Sequence, residues 1–477
     1  MKKVPKEQVV KRLGIENPWW KDGKIPKLFG TYKPRAYLEL FYPLVVSREI
    51  RRATVLMGPR RVGKTVLIHH TIKNLIAEGI NPKRIAYFSV DHPIYNNLAL
   101  ESLLDIFSEA VDVNYFEEEC FIFFDEIQYL KNWEVHLKAI VDRFPNIKCT
   151  VSGSAAAALR LKSNESGAGR FTDFLLPPLT FHEYLKLLDK NDLVIPPDSN
   201  DSVFSSSNIN ELNDNFIHYL NFGGYPEVIF SEEIQSDPGR FIKNDIIDKV
   251  LLRDLPGLYG VQDIQELNYL FTTLAFNTSN EVSLEELSKG SGVAKNTIKR
   301  YIEYLEAAFL IRTVHRVDRN AKRFKRANFF KVYLTNPSIR SALFTPITDD
   351  DPSVGPVSET AVYSQWFHSD TLLHYSRWKN GEVDIVNIEK NQRVLWAIEV
   401  KWTDRFYKKP LELRNLLQFC HSNNLDSAVV TTKTKTGNTK MENVYLNFIP
   451  TSIYCYTVGY NLIKGKHNII NEGFTNQ

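Results

Sequence analysis

Through the first 180 residues, short strand-like runs alternate with stretches whose apolar positions recur at helical spacing. The runs are residues 53–57, 85–90, 121–124 and 148–154. Helical spacing follows each of the first three: Val66-Leu67-Ile68, then Leu100, Leu103-Leu104 and Ile106-Phe107, then 133–144. Strands apolar on both faces lie in parallel sheets covered by helices. The alternation therefore predicts a doubly wound α/β layer, which takes ligands at the C-terminal ends of its strands. Residues 1–46, rich in Lys, Pro and aromatics, predict an arm packed on that layer.

The pattern then changes. Residues 190–215, with Pro196-Pro197 and Ser205-Ser206-Ser207, read as a loop or linker, and helical spacing resumes from Phe216. Residues 283–288, a turn at Ser291-Gly292-Val293, and 296–305 predict a capped helix, a glycine turn and a second helix, with Ser283 and Glu286 at capping-box spacing. Residues 309–317 and 331–334 predict the strands of a wing. Beyond them, 381–388 and 395–402 alternate with period two, as paired strands do, behind a helix-like stretch at 359–363. Residues 443–446 and 452–456 predict strands that finish the last sheet.

Chemistry enters at the strand ends. Gly58-Pro59-Arg60-Arg61-Val62-Gly63-Lys64-Thr65 joins the first strand to the helix that Val66 continues. Glycines at both ends let successive N–H groups turn inward on phosphates, and the helix start adds its positive end. Lys64 reaches the β- and γ-phosphates, and the Thr65 hydroxyl ligates Mg²⁺. The strand ending Asp125-Glu126 supplies the partner carboxylates: Asp125 orients the metal and Glu126 polarises the attacking water. Ser152 and Ser154 close the strand expected beside these two, where a polar side chain can sense the γ-phosphate; a strand-end turn is the other reading. Arg170 is a candidate to neutralise the γ-phosphate in cis or across a subunit interface, or else it anchors a surface loop.

The second helix of the turn motif starts with Asn296, Lys299 and Arg300, where a recognition helix meets DNA. Lys322, Arg323, Lys325 and Arg326 form the densest basic run in the chain. Phosphate contacts with duplex DNA are one reading and a structural or partner surface is the other. In the last region Glu399 and Lys401 share a strand face, Asp384 lies on the neighbouring strand, and Glu359 can complete the cluster. Carboxylates holding Mg²⁺ beside a lysine suit metal-assisted phosphodiester hydrolysis; a hairpin with a charged solvent face gives the same letters.

Composition bounds these readings. The 477 residues predict about three domains, and 43% hydrophobic with 24% charged residues predicts globular cores. A net charge of +3 makes no global case for nucleic acid. Cys120, Cys149, Cys420 and Cys455 lack paired spacing, which predicts a reduced, cytoplasmic setting. No stretch reads as a membrane span or a signal-peptide core.

The loop at 58–65, Asp125-Glu126-Ile127-Gln128, Ser152-Gly153-Ser154, Gly169-Arg170, the block at 178–185 and Gly223-Gly224-Tyr225-Pro226-Glu227 together resemble the prokaryotic AAA-type ATPases described as archaeal-type. The resemblance runs from about Arg35 to Lys408. It implies a C-terminal region built from a winged helix and a restriction-endonuclease-like fold, with an acid, acid-x-lysine signature at Asp384, Glu399 and Lys401. The expected chain is thus an α/β protein: an N-terminal arm (1–34), a P-loop parallel-sheet ATPase core (35–190), a linker and helical lid (191–262), a winged helix (263–345) and a smaller α/β nuclease-like domain (346–477). The expected activity is Mg²⁺-dependent ATP hydrolysis coupled to DNA, with Pro59, Arg60, Arg61, Val62 and Val66 lining the nucleotide beside the residues above. A nuclease-free regulatory switch acting on a protein partner is the alternative, and a homo-oligomer is compatible with either.

Overall fold

The computed structural model describes residues 5–465, apart from 97, 154–168, 198–202, 324–327 and 370. The chain divides into two compact units, the first ending at Leu176 and the second beginning at Pro177.

The first unit is built on five parallel strands: β1 (Ala53–Met57), β2 (Ile85–Ser89), β3 (Cys120–Asp125), β4 (Ile147–Gly153) and β5 (Phe171–Leu175). Their spatial order is β2-β3-β4-β1-β5. β4 therefore lies between the strand that leads into the phosphate loop and the strand that ends in Asp125. Burial on both faces explains why β1 and β3 are apolar apart from Thr54 and the terminal Asp125. The predicted arm is helical (Lys6–Glu16, Trp19–Asp22, Lys27–Thr31 and Leu38–Val46) and covers the edge strand β2. Asn17 donates from its amide to the Tyr87 carbonyl (2.9 Å) and accepts from the Tyr87 N–H (2.7 Å), while Trp19 and Trp20 both donate to the Ile85 carbonyl. Side chains thus supply the hydrogen bonds of an absent neighbouring strand, and the edge cannot template pairing with another chain.

The second unit opens with residues that the sequence places in the ATPase core. The helix Phe181–Leu187 is capped by Thr180, and the Cβ that Gly459 lacks would meet Thr180 at 3.0 Å. That close approach seats the Phe181 helix on the helix Thr451–Ile463, and Phe181, Tyr184 and Leu185 join the unit's main core. The described residues of the linker form regular structure that was not expected. A short hairpin, β6 (Val194–Ile195) and β7 (Ser205–Ser206), leads to the helix Ile209–Phe222, whose Asn208 side chain accepts from the Glu211 N–H. Asn208 is thus a capping residue, and the Ser206 and Ser207 hydroxyls donate to the Leu193 and Asp192 carbonyls.

Among the described residues, nine strands form one continuous sheet: β8 (Glu281–Ser283), β9 (Ile311–Val317), β10 (Phe329–Leu334), β11 (Leu373–Trp378), β12 (Gly381–Ile388), β13 (Val394–Glu399), β14 (Ser427–Thr432), β15 (Gly437–Met441) and β16 (Val444–Pro450). The order is β15-β16-β14-β13-β12-β11-β9-β10-β8. The expected helix pair is present as Leu284–Ser291 and Lys295–Ala307, flanked by β8 before and β9-β10 after. A short parallel pairing of β11 with β9 welds this part to the C-terminal strands. The expected strand at 452–456 is instead inside the helix Thr451–Ile463, which is buried nearly all round. A short apolar run does not distinguish a buried strand from a buried helix, and the extended Pro450 at its N-cap starts the helix. All four cysteines are buried and free. Among the described residues, no helix is long and apolar enough to cross a membrane.

Candidate functional site

The phosphate loop follows β1, and its conformation depends on glycine at both ends. Gly58 has φ +155°, and a Cβ there would lie 2.3 Å from the Leu176 carbonyl oxygen. Gly63 has φ +94° and caps the helix Lys64–Ala77, a backbone state that costs a non-glycine residue energy. Lys64 is buried, and its ammonium donates to the Gly58 (3.1 Å) and Pro59 (2.8 Å) carbonyls, folding back over the loop that phosphates would fill. From the N-terminal side, Arg35 is buried and donates to the Val62 carbonyl at 2.6 Å, pinning the loop's far limb.

Asp125 ends β3 and is buried beside Thr65, the first-turn residue of the loop helix. The Thr65 hydroxyl donates to Asp125 Oδ2 at 2.6 Å. A hydroxyl and a carboxylate oxygen so close are hard oxygen donors of the kind Mg²⁺ takes, and they fit that ion. Two further hydroxyls fix the carboxylate: Tyr87 donates to Oδ2 at 2.8 Å and Ser152 donates to Oδ1. Ser152 also accepts from the Glu126 N–H (3.2 Å), so β4 holds both acids at once. Glu126 adopts φ +59°, a left-handed state uncommon for glutamate, and Gln128 donates to its carboxylate. Desolvation raises the Glu126 pKa, Lys64 opposes this, and Asp125 adds to it. A carboxyl shifted that way is suited to accept a proton.

Ser154 lies outside the described residues, and the polar strand-end contact is made by Ser152. Arg170 is partly exposed, pairs with Asp142 at 3.1 Å, and its carbonyl accepts from the Ala53 N–H. Tyr87 and Arg35 were not legible as site residues: each sits in an ordinary apolar or basic stretch, and only the sheet order and the arm bring them to the loop.

In the second unit Glu359, Asp384, Glu399 and Lys401 come together. Glu359 projects from the helix Val354–Gln365, Asp384 from β12, Glu399 from the end of β13, and Lys401 two residues later. Lys401 lies 2.8 Å from Glu399 and 3.3 Å from Asp384. Sequence reasoning missed Lys331 on β10, which is buried 2.7 Å from Glu382, 3.0 Å from Glu359 and 3.9 Å from Asp384. Desolvation pushes Glu359 and Glu399 up to about 7, against the pull of the lysines. Burial would likewise raise Asp384, but Lys401 and Lys331 hold it below its ordinary value. As folded, these carboxylates do not fit the expected second metal. Among the described residues no three His, Cys, Asp or Glu side chains converge to hold one, and ammonium groups stand between the acids.

On the helix Lys295–Ala307, Asn296, Lys299 and Arg300 face solvent, as do Lys322 and Arg323; Lys325 and Arg326 lie outside the described residues. Ser283 accepts from the Glu286 N–H at 3.0 Å, as the capping spacing requires.

Comparison with known proteins agrees with this geometry. Residues 50–185 match the family model of a AAA domain, and residues 213–351 match that of a domain of unknown function. Residues 50–185, which contain all five strands of the first sheet and run on into the start of the second unit, are therefore similar to a AAA-type P-loop ATPase domain. An uncharacterized protein of Methanocaldococcus jannaschii is 26% identical over 340 residues, covering 66% of this chain and 68% of its own. A second from the same organism is 23% identical over 368 residues, 74% and 77% of the two chains. The solved Walker-type ATPase of Pyrococcus abyssi is similar at a TM-score of 0.38 and 15% identity, over 66% of this chain and 99% of that one.

Proposed function

We propose that the protein is a Mg²⁺-dependent ATP hydrolase whose cycle is coupled to duplex DNA through a winged helix, with a nuclease-like domain beyond it. The observation that carries the first part is the Thr65–Asp125 contact of 2.6 Å at the foot of the phosphate loop. Lys64 leaves the loop carbonyls for the β- and γ-phosphates, and Thr65 and Asp125 hold the metal, which would neutralise phosphate charge. Glu126 orients water for in-line attack. Arg170, just before β5, exchanges Asp142 for the γ-phosphate of its own or a neighbouring subunit's nucleotide.

Support for DNA comes from the helix-strand-helix-helix-strand-strand order between Ile264 and Leu334 and from the exposed cations on the helix Lys295–Ala307. The C-terminal elements follow the order of a restriction-endonuclease-like core, one helix, three antiparallel strands, a helix and a parallel strand. Phosphate release from ATP, with and without duplex DNA, tests the coupling. Stimulation supports it; turnover indifferent to DNA defeats it.

The second reading is an ATP-dependent switch that acts without cleaving DNA. The lysines between the C-terminal carboxylates favour it. A metal-dependent cleavage assay separates the two: loss of cleavage in both Asp384→Ala and Lys401→Ala supports a nuclease, and no cleavage by the wild type supports the switch.

A further inference from the structure

A fully buried lysine is costly unless anions surround it. Lys331 is 2% exposed, and it enters the C-terminal cluster from β10, a strand of the preceding winged-helix-like part. Asp384 thereby has an ammonium group on each oxygen, Lys331 toward Oδ1 and Lys401 on Oδ2. Together they bring a charge of two, the charge of a divalent cation, as N–H donors in place of coordination bonds. Tyr333, two residues along β10 and hence on the same strand face, donates to Glu359 Oε1 at 2.6 Å, the oxygen that also accepts from Lys331. The Tyr333 hydroxyl and Lys331 so hold Glu359 toward β10. Glu399 Oε2, by contrast, is buried and has no hydrogen-bond partner among the described residues.

We propose that Lys331 is a built-in counter-cation that takes the place of a divalent metal ion among Glu359, Asp384 and Glu399, so that the folded protein keeps this site metal-free. The inference deepens the switch reading and rests on the placement of the cluster, not on cleavage. It also makes β10 part of the C-terminal site: the cluster lacks its charge balance without a residue from the preceding part of the sheet.

Mn²⁺ binding to the full chain without nucleotide tests it, read from the paramagnetic resonance of free Mn²⁺. All proteins carry Asp125→Ala so that the phosphate-loop site adds nothing. With Lys331 present, the chain and its Asp384→Asn variant should bind the same amount of Mn²⁺. Lys331→Met should gain one site per chain, at least tenfold tighter than any remaining binding, and Lys331→Met with Asp384→Asn should lose it. An Asp384-dependent Mn²⁺ site in the protein that retains Lys331 overturns the proposal, as does a folded Lys331→Met protein that gains none. Should Lys331→Met not fold, added Mn²⁺ should restore its structure, because the ion replaces the missing charge; absence of rescue overturns the proposal too. DNA cleavage enters none of these arms, so an inactive nuclease leaves each outcome readable.

Discussion

Asp125 accepts from three hydroxyls, those of Thr65, Tyr87 and Ser152, and each restrains the carboxylate proposed to hold Mg²⁺. Tyr87→Phe removes one donor without changing the ring that packs 4.8 Å from the His69 ring. A hydrogen bond to a charged group contributes about 1.5–3 kcal/mol. The Mg²⁺ concentration for half-maximal ATP turnover should therefore rise about tenfold or more, with ATP binding retained, as a metal titration of the ATPase would read. Glu126→Gln should leave nucleotide binding intact and lower kcat by roughly 100-fold or more, the scale of a lost general base; turnover equal to wild type removes Glu126 from its role.

Glu359 and Glu399 give a pH dependence with a definite sign. Their carboxyls are raised from an ordinary 4.5 to about 7 in the folded protein, so the unfolded chain releases these protons first. Stability from this source is complete below pH 4.5 and is lost as pH rises through about 7. Glu399→Gln should flatten that part of the curve in chemical denaturation of the second unit.

Among the elements, caps and edges decide more than helix propensity. The helix Leu284–Ser291 begins at Ser283, whose hydroxyl accepts from the Glu286 N–H, and Ser283→Ala should cost about 1 kcal/mol. Thermal unfolding should register this as a drop of about 1–2 °C for a unit of this size. The capping spacing was legible because it is local. The strand expected at 452–456 failed for the opposite reason: its letters are equally apolar in either conformation, and burial on every side selected the helix. Likewise, polar residues near 208 cap a helix whose core face, including Leu212 and Phe216, becomes visible only with its partners.

For the whole molecule, DNA engagement should make binding salt-dependent despite a net charge of only +3. Lys299→Ala and Arg300→Ala should each reduce the slope of log affinity against log salt by about 1, uniformly across sequences, because each removes one cation that pairs with a phosphate. A slope unchanged in the double variant would point to a protein partner instead.

The sequence by itself determined the phosphate loop, the acid pair on the third strand, the alternation that builds the parallel sheet and the helix pair at 284–307, because each depends on spacing within a few residues. It also placed Asp384 and Glu399 on paired strands, whereas Lys401, expected on the second of them, lies two residues beyond its end. Tertiary structure alone decided that Tyr87 and Arg35 reach the phosphate-loop site, since sheet order and an arm laid along an edge bring them there. It alone placed Lys331 among the carboxylates as well. A lysine in an apolar strand reads as a solvated charge until β12 and the helix Val354–Gln365 carry three acids to its ammonium group.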